Sequence, residues 1–298
     1  MAPAAVKVIG VVGSGQMGSG IAQVAAVAGF DVWLHDSDPA ALWRAEKAIG
    51  NSVRRLVSKG ELSQLAGTDS LNRLRYTSTL ADIRNSDVII EAIVESEVVK
   101  KNLFLELDKI AKVSAILASN TSSISITRLA SSTSRPTKVI GMHFMNPPPI
   151  MKLIEIVRGA DTSDEVFMTI KTLSERLGKT VICSQDFPGF IVNRILMPMI
   201  NEAFFALYTG VATKEDIDTG MKLGTNHPMG PLQLADFIGL DVCLSILKVL
   251  HEGLGDSKYI PCPLLVQYVD AGRLGRKQGI GVYNYQNKSQ PVKPLSSL

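Results

Sequence analysis

At 298 residues the chain is too long for one ordinary core and about right for two domains. Hydrophobic residues make up 46% and charged residues 20%, which excludes a disordered chain, and no apolar run reaches the roughly 18–20 residues that cross a bilayer. A formal charge of +3 without a dense Lys/Arg tract argues against nucleic acid as a partner, and the widely spaced Cys183, Cys243 and Cys262 read as reduced thiols rather than a disulfide or metal framework.

The first strand is expected at 6–12 (VKVIGVV), a β-branched run of the kind buried in a parallel sheet, and it begins too early to leave room for a signal or transit segment. Glycines follow at 13, 15 and 18, then an Ala-rich helical stretch that Gly29 can cap. A second strand, DVWLHD, closes on Asp36, and a helix from about Pro39 runs past Lys59 with Ile49, Val53, Leu56 and Val57 in helical spacing. Further strand-like runs are DVIIEAI (87–93), AILASN (115–120), VIGMHF (139–144) and LIEIV (153–157). Strands alternating with helices of this length predict an α/β fold with a Rossmann-type, doubly wound, mostly parallel sheet. The composition changes between Ser184 and Gly189. Beyond it helical periodicity prevails, so the expected division is a first domain at 1–185 and an all-helical second domain at 186–298. The final Ser296, Ser297 and Leu298 resemble the Ser-Lys-Leu peroxisomal address without its lysine; a peroxisomal location is expected from them, with the cytoplasm as the alternative.

Gly13, Ser14, Gly15, Gln16, Met17 and Gly18 form G-x-G-x-x-G between a strand and a helix, with Asp36 at the end of the next strand. A dinucleotide needs this arrangement. The first glycine permits the tight turn, the second lets backbone approach the pyrophosphate, and the third lets helix and strand pack closely. The helix N-terminus offers N–H groups to phosphate, while a carboxylate at position 36 would accept from ribose hydroxyls and repel a 2′-phosphate. NAD is therefore expected over NADP, and no later segment suggests a flavin pocket.

Two further segments carry polar groups at strand ends, where open α/β sheets bind ligands. Ser119 to Ser123 (SNTSS) follows AILA, and His143 lies in GMHFMNPPP, stiffened by three prolines. Glu155 interrupts the apolar LIEIV, and an isolated buried carboxylate needs a partner, for which His143 is the natural candidate. Among the other histidines, His35 in a strand and His251 on a helix read as packed or solvated; His227, in a Gly/Pro-rich turn, stays open.

The sequence as a whole resembles the L-3-hydroxyacyl-CoA dehydrogenase family, in particular its 3-hydroxybutyryl-CoA members. The resemblance is carried by GSGQMGSGIAQVAA, EAIVE, SNTSS, GMHFMNPPPIMKLIEIV, DFPGFIVNRIL, EDIDTGMKLGTNHPMGPLQLADFIGLD and RKQGIGVYNY. It implies that His143 is the catalytic base, oriented by Glu155, and that Ser122 and Asn193 contact the reacting part of the substrate. It further implies that Glu95, Lys100, Ser122, Asn146 and, more weakly, Lys277 line the NAD site, that Ser52 and Lys59 contact coenzyme A, and that a homodimer forms through the helical domain. Two alternatives remain at this point. One is a dehydrogenase of a free hydroxy or sugar acid of the gulonate type; the other is a non-catalytic NAD-binding protein, against which the His143/Glu155 pair speaks.

Overall fold

The computed structural model describes residues 6–286, so the Ser296, Ser297 and Leu298 address lies outside the described residues. Strand β1 (Val8–Val12) buries Ile9, Val11 and Val12, as a central parallel strand covered on both faces must. Helix α1 (Gln16–Val27) leads to β2 (Asp31–His35) and the long helix α2 (Pro39–Ser58). The start of α2 is fixed by Asp38, whose carboxylate accepts from Ala40 N at 2.9 Å, and by Pro39 with its preset φ. Its stripe of Leu42, Ala45, Ile49 and Val53 is buried, which holds the helix against α1 and the sheet. The chain continues through α3 (Gln64–Asn72), β3 (Leu74–Thr77), β4 (Val88–Glu91), α4 (Glu97–Ile110), β5 (Ile116–Ser119) and α5 (Ile126–Ala130). It then forms β6 (Val139–Phe144), β7 (Leu153–Arg158), α6 (Asp164–Arg176) and β8 (Thr180–Gln185).

All the strands join one eight-stranded sheet in the order β3-β2-β1-β4-β5-β6-β7-β8. Neighbours are parallel except β6 and β7, so β7 and β8 run against the rest. From β1 the chain first winds outward to β2 and β3, then returns to lay β4 on the other side. That reversal opens a crevice at the carboxyl ends of β1 and β4, the place where such sheets take ligands. This is the doubly wound, mostly parallel architecture expected from the sequence.

The described residues divide into two compact units, with the break between Phe187 and Pro188. The second unit is helical: α7 (Val192–Tyr208), α8 (Lys214–Gly224), α9 (Pro231–Ile238), α10 (Leu240–Leu254) and α11 (Pro263–Asp270). Phe204, Leu232, Leu240, Leu247 and Leu265 form its core. Two buried carboxylates pin it. Asp218 accepts from Leu232 N at 2.8 Å and Gln233 N at 3.0 Å, capping α9, and Asp236 accepts from Val282 N and Tyr283 N, each at 2.9 Å. Among the described residues no helix is long and apolar enough to cross a membrane.

Candidate active site

The glycines at the carboxyl end of β1 do three different jobs. Gly13 has φ +98°, and a Cβ there would lie 2.5 Å from Ala92 O in the loop after β4. At Gly18 a Cβ would fall 1.7 Å from Gly13 O, so α1 sits directly on the turn. Gly15 is the opposite case: a Cβ there would meet nothing within 4 Å, which leaves its backbone open to a ligand. Helix α1 has no side-chain cap and no acid in its first turn, so the N–H groups of that turn carry no capping side chain. Asp36, just past β2, accepts through Oδ2 from Ser14 N at 2.7 Å and Ser14 Oγ at 2.8 Å, and through Oδ1 from Asp38 N at 3.0 Å. Burial pushes its carboxyl up, but these hydrogen bonds outweigh burial and hold it below the usual carboxylate value. It is therefore anionic at neutral pH, and remains so until the pH falls through that depressed value.

At the carboxyl ends of β4 and β5 a second set of charges is buried. Glu91, the last residue of β4, is fully buried; its Oε2 accepts from Ser119 Oγ at 2.6 Å and its Oε1 from Ile93 N at 2.8 Å and from Lys100 Nζ. Lys100, on α4, is only 1% exposed and also reaches Glu95 Oε2 at 3.2 Å. Glu95 Oε1 in turn accepts from Thr121 Oγ1 at 2.6 Å, Ser122 N at 2.9 Å, and Ser122 Oγ and Ser123 Oγ at 3.2 Å. Burial pushes both carboxyls up. For Glu95 the Lys100 ammonium and the loop donors prevail and bring it below the ordinary value, whereas Glu91, deeper in the sheet, stays raised. The SNTSS loop is thus tied to the β4–α4 connection by one carboxylate.

One strand further on, β6 brings His143 opposite Glu155 of β7 in the antiparallel ladder. Side chains paired this way leave the same face of the sheet. His143 Nδ1 lies 2.7 Å from Glu155 Oε2, with Glu155 fully buried and His143 7% exposed. The strand end is joined to the SNTSS loop by Phe144 N, which donates to Asn120 Oδ1 at 2.9 Å. None of the other histidines has such a partner among the hydrogen bonds found. His35 is packed in β2, where burial lowers its pKa; His251 Nδ1 lies 3.3 Å from the Asp256 carbonyl; His227 occupies the turn between α8 and α9.

Comparison with known proteins gives this arrangement its context. Residues 8–187 match the family model of the 3-hydroxyacyl-CoA dehydrogenase NAD-binding domain, and residues 189–285 match the C-terminal domain of the same family. The chain belongs to the 3-hydroxyacyl-CoA dehydrogenase family. A 3-hydroxybutyryl-CoA dehydrogenase of Bradyrhizobium diazoefficiens is 55% identical to it over 97% of this chain and 98% of that one. A probable 3-hydroxybutyryl-CoA dehydrogenase of Bacillus subtilis is 53% identical, over 95% and 99%. The solved structure of the (S)-3-hydroxybutyryl-CoA dehydrogenase of Ralstonia eutropha superposes with a TM-score of 0.92 at 46% identity, covering 95% of this chain and 100% of that one. Bacteria have no peroxisomes, so the bacterial relatives argue against the peroxisomal reading of the terminal tripeptide.

As a 3-hydroxyacyl-CoA dehydrogenase, the chain is an NAD-dependent oxidoreductase. The open backbone at Gly15, the uncapped start of α1 and the anionic Asp36 fit a dinucleotide without a 2′-phosphate. Asp36→Ala is accordingly expected to raise the KM for NADH roughly ten- to a hundredfold, the worth of a charge-assisted hydrogen bond, with a smaller change for NADPH. Steady-state kinetics with both cofactors check this; an unchanged NADH/NADPH ratio would contradict the role of the carboxylate.

The structure distributes the other expected residues unevenly. Asn146 is exposed in the loop after β6, next to Pro147. Ser52 lines a groove of about 460 Å³ formed by the glycine turn at Ser14 and Gly15, by α1 and α2, and by Pro147 and Pro149, and Lys59 lies about two turns further along, at the exposed end of α2. Asn193 and Lys277 belong to the second unit of the dehydrogenase: Asn193 in the first turn of α7, and Lys277 paired with Asp241 at 2.6 Å. Lys100 is too buried to present its ammonium at a surface; its contacts are to Glu91, Glu95 and the Ile93 carbonyl, the last at 3.4 Å. Glu91 itself was missed from sequence, although a Glu inside the apolar DVIIEAI carries the same signal that singled out Glu155.

Proposed function

We propose that this dehydrogenase interconverts (S)-3-hydroxybutanoyl-CoA and acetoacetyl-CoA, with His143 as catalytic base and Glu155 orienting it. The 2.7 Å contact between His143 Nδ1 and Glu155 Oε2 carries the reading. A buried carboxylate at that distance keeps the proton on Nδ1, so Nε2 holds the lone pair that takes a proton from the 3-hydroxyl. As that proton leaves, the C3–O bond becomes a carbonyl, and Glu155 stabilises the imidazolium that forms. Bound NAD supplies the acceptor for the hydride lost from C3. In the reverse direction His143 returns the proton to the carbonyl oxygen. Ser122 and Asn193 are assigned hydrogen bonds to the substrate oxygens, which would hold C3 in line for transfer. Glu95, with Lys100 behind it, fixes the Ser122 loop, and Asn146 and Lys277 are assigned to the cofactor; Ser52 and Lys59 are assigned to coenzyme A.

The short acyl chain is supported by the 3-hydroxybutyryl activity named for the relatives at 53% and 55% identity. Following NADH absorbance with 3-oxoacyl-CoA esters from four to ten carbons tests it. The expected result is highest kcat/KM at four carbons and a fall beyond six. Each methylene buried in an accommodating tunnel is worth about 0.8 kcal/mol, so a steady rise to ten carbons would reject the short-chain assignment and leave the dehydrogenase intact. No turnover of any CoA ester would reject both. A cytoplasmic homodimer completes the reading. It is supported by the bacterial relatives and by Ile195, Val211 and Leu223, large apolar side chains exposed on the second unit.

A further inference from the structure

The segment that joins β6 to β7, residues 145–152, is short of ways to attach itself to the scaffold. Pro147, Pro148 and Pro149 have no N–H, so this stretch of backbone can be tied down only through its carbonyls. Pro147 O serves the turn itself, accepting from Ile150 N and Met151 N at 3.0 Å. The carbonyls of Pro148 and Met151 take an outside donor: Lys179 Nζ donates to them at 2.6 Å and 2.8 Å. Local chain geometry delivers that lysine. Gly178, at φ +72°, turns the chain out of α6, and Thr180 opens β8 by donating its N–H to Lys152 O at 2.7 Å. Residue 179 is thereby set beside the end of the segment.

Lys179 is half-buried and makes no ion pair among the described residues; burial, with no carboxylate to offset it, holds its pKa below the usual lysine value. Its two charge-assisted bonds to carbonyls are what compensate that cost. The segment also rests on α1. A Cβ at Gly20 would lie 2.9 Å from Pro148 Cδ and 3.1 Å from Pro149 Cδ, so the prolines reach the helix backbone itself. Ile150 and Met151 are exposed and give little further support. Pro147 and Pro149 line the same groove as Ser14 and Gly15, the turn that takes the pyrophosphate of a dinucleotide. A wall already in place costs a ligand nothing to order, whereas a loose one must be ordered on binding, at the expense of affinity.

We propose that Lys179 is a positioning residue for the cofactor, holding the proline segment as a fixed wall of the groove that opens on the glycine turn. The β6–β7 ladder sets His143 and Glu155 without the lysine, so its effect falls on binding and not on the chemical step. Lys179→Met keeps the stem of the side chain and removes the donors. Its Kd for NADH, from fluorescence titration, is expected to weaken roughly tenfold, with kcat at saturating NADH within about twofold of wild type. The titration needs no CoA ester, so it stands whatever the acyl substrate. Lys179→Arg keeps a cation with donors for both carbonyls and should recover most of the affinity. In the ligand-free Met variant, hydrogen exchange at Ile150 and Met151 should quicken while that in β1 and β5 holds. A merely structural lysine gives another pattern, a lower Tm and less active enzyme with the Kd of the folded fraction unchanged, and that result overturns the proposal. So does an Arg variant as weak as the Met one, or a KM for acetoacetyl-CoA that rises while the Kd for NADH holds. If Lys179→Met does not fold, Gly20→Ala displaces the same prolines from the α1 side and is expected to weaken NADH binding likewise; an unchanged Kd there overturns the proposal as well.

Discussion

Replacing His143 with Gln is expected to lower kcat by about 10²- to 10⁴-fold while the Kd for NADH stays as it was. The two readouts separate because the histidine stands at the end of β6, whereas the glycine turn and Asp36 stand at the ends of β1 and β2. Glutamine has nearly the reach of the imidazole and can hydrogen-bond a substrate oxygen, but it cannot take up a proton near neutrality. The loss should therefore fall on turnover and much less on the KM for the CoA ester. Stopped-flow reduction of acetoacetyl-CoA, with NADH fluorescence titration for binding, measures both. A variant that turns over within a few-fold of wild type would remove His143 from the chemistry.

Glu155→Gln is expected to be nearly as damaging, by about 10²-fold or more in kcat, although residue 155 touches no reacting atom in the proposed mechanism. The carboxylate is fully buried and faces Nδ1 at 2.7 Å. An amide in its place removes the negative charge that stabilises the imidazolium. If its NH₂ group turns towards the ring, it also reverses which nitrogen carries the proton. Glu155→Asp retains the charge with a shorter reach, and its kcat should fall between those of wild type and Gln. If Asp and Gln lose activity equally, the contribution of residue 155 is one of fit and not of charge.

Much of the first unit could be read directly, because its chemistry depends on local patterns. The glycine turn, the run into Asp36 and the apolar strands at 87–93, 115–120, 139–144 and 153–157 are short-range signals, and each corresponds to a strand or turn in the structure. β3 and β8 were not anticipated. LRYT and TVICSQ are edge strands, partly exposed, and neither presents the continuous apolar run of a central strand. The reversal of β7 was equally hidden, since strand direction is set by connections and sheet packing, not by side-chain alternation. The His143/Glu155 pair was still accessible, because the cost of burying a lone carboxylate demanded a partner whatever the direction of the strand. The same reasoning applied to Glu91 would have found Lys100.

The pairing of His143 with Glu155 across adjacent strands has a consequence for how the enzyme can change. Their separation is inherited from the β6–β7 ladder, whose flanking positions Met142, Phe144, Ile154 and Ile156 are buried. No loop sets it. The residues proposed to meet the ester, Ser52 and Lys59 on α2 among them, hang from other parts of the scaffold and can be exchanged while the ladder keeps its register. Reactivity and recognition are therefore inherited separately. A lineage or a designer can alter what the enzyme recognises while the His143/Glu155 pair, the proposed proton-transfer apparatus, stays intact at every step.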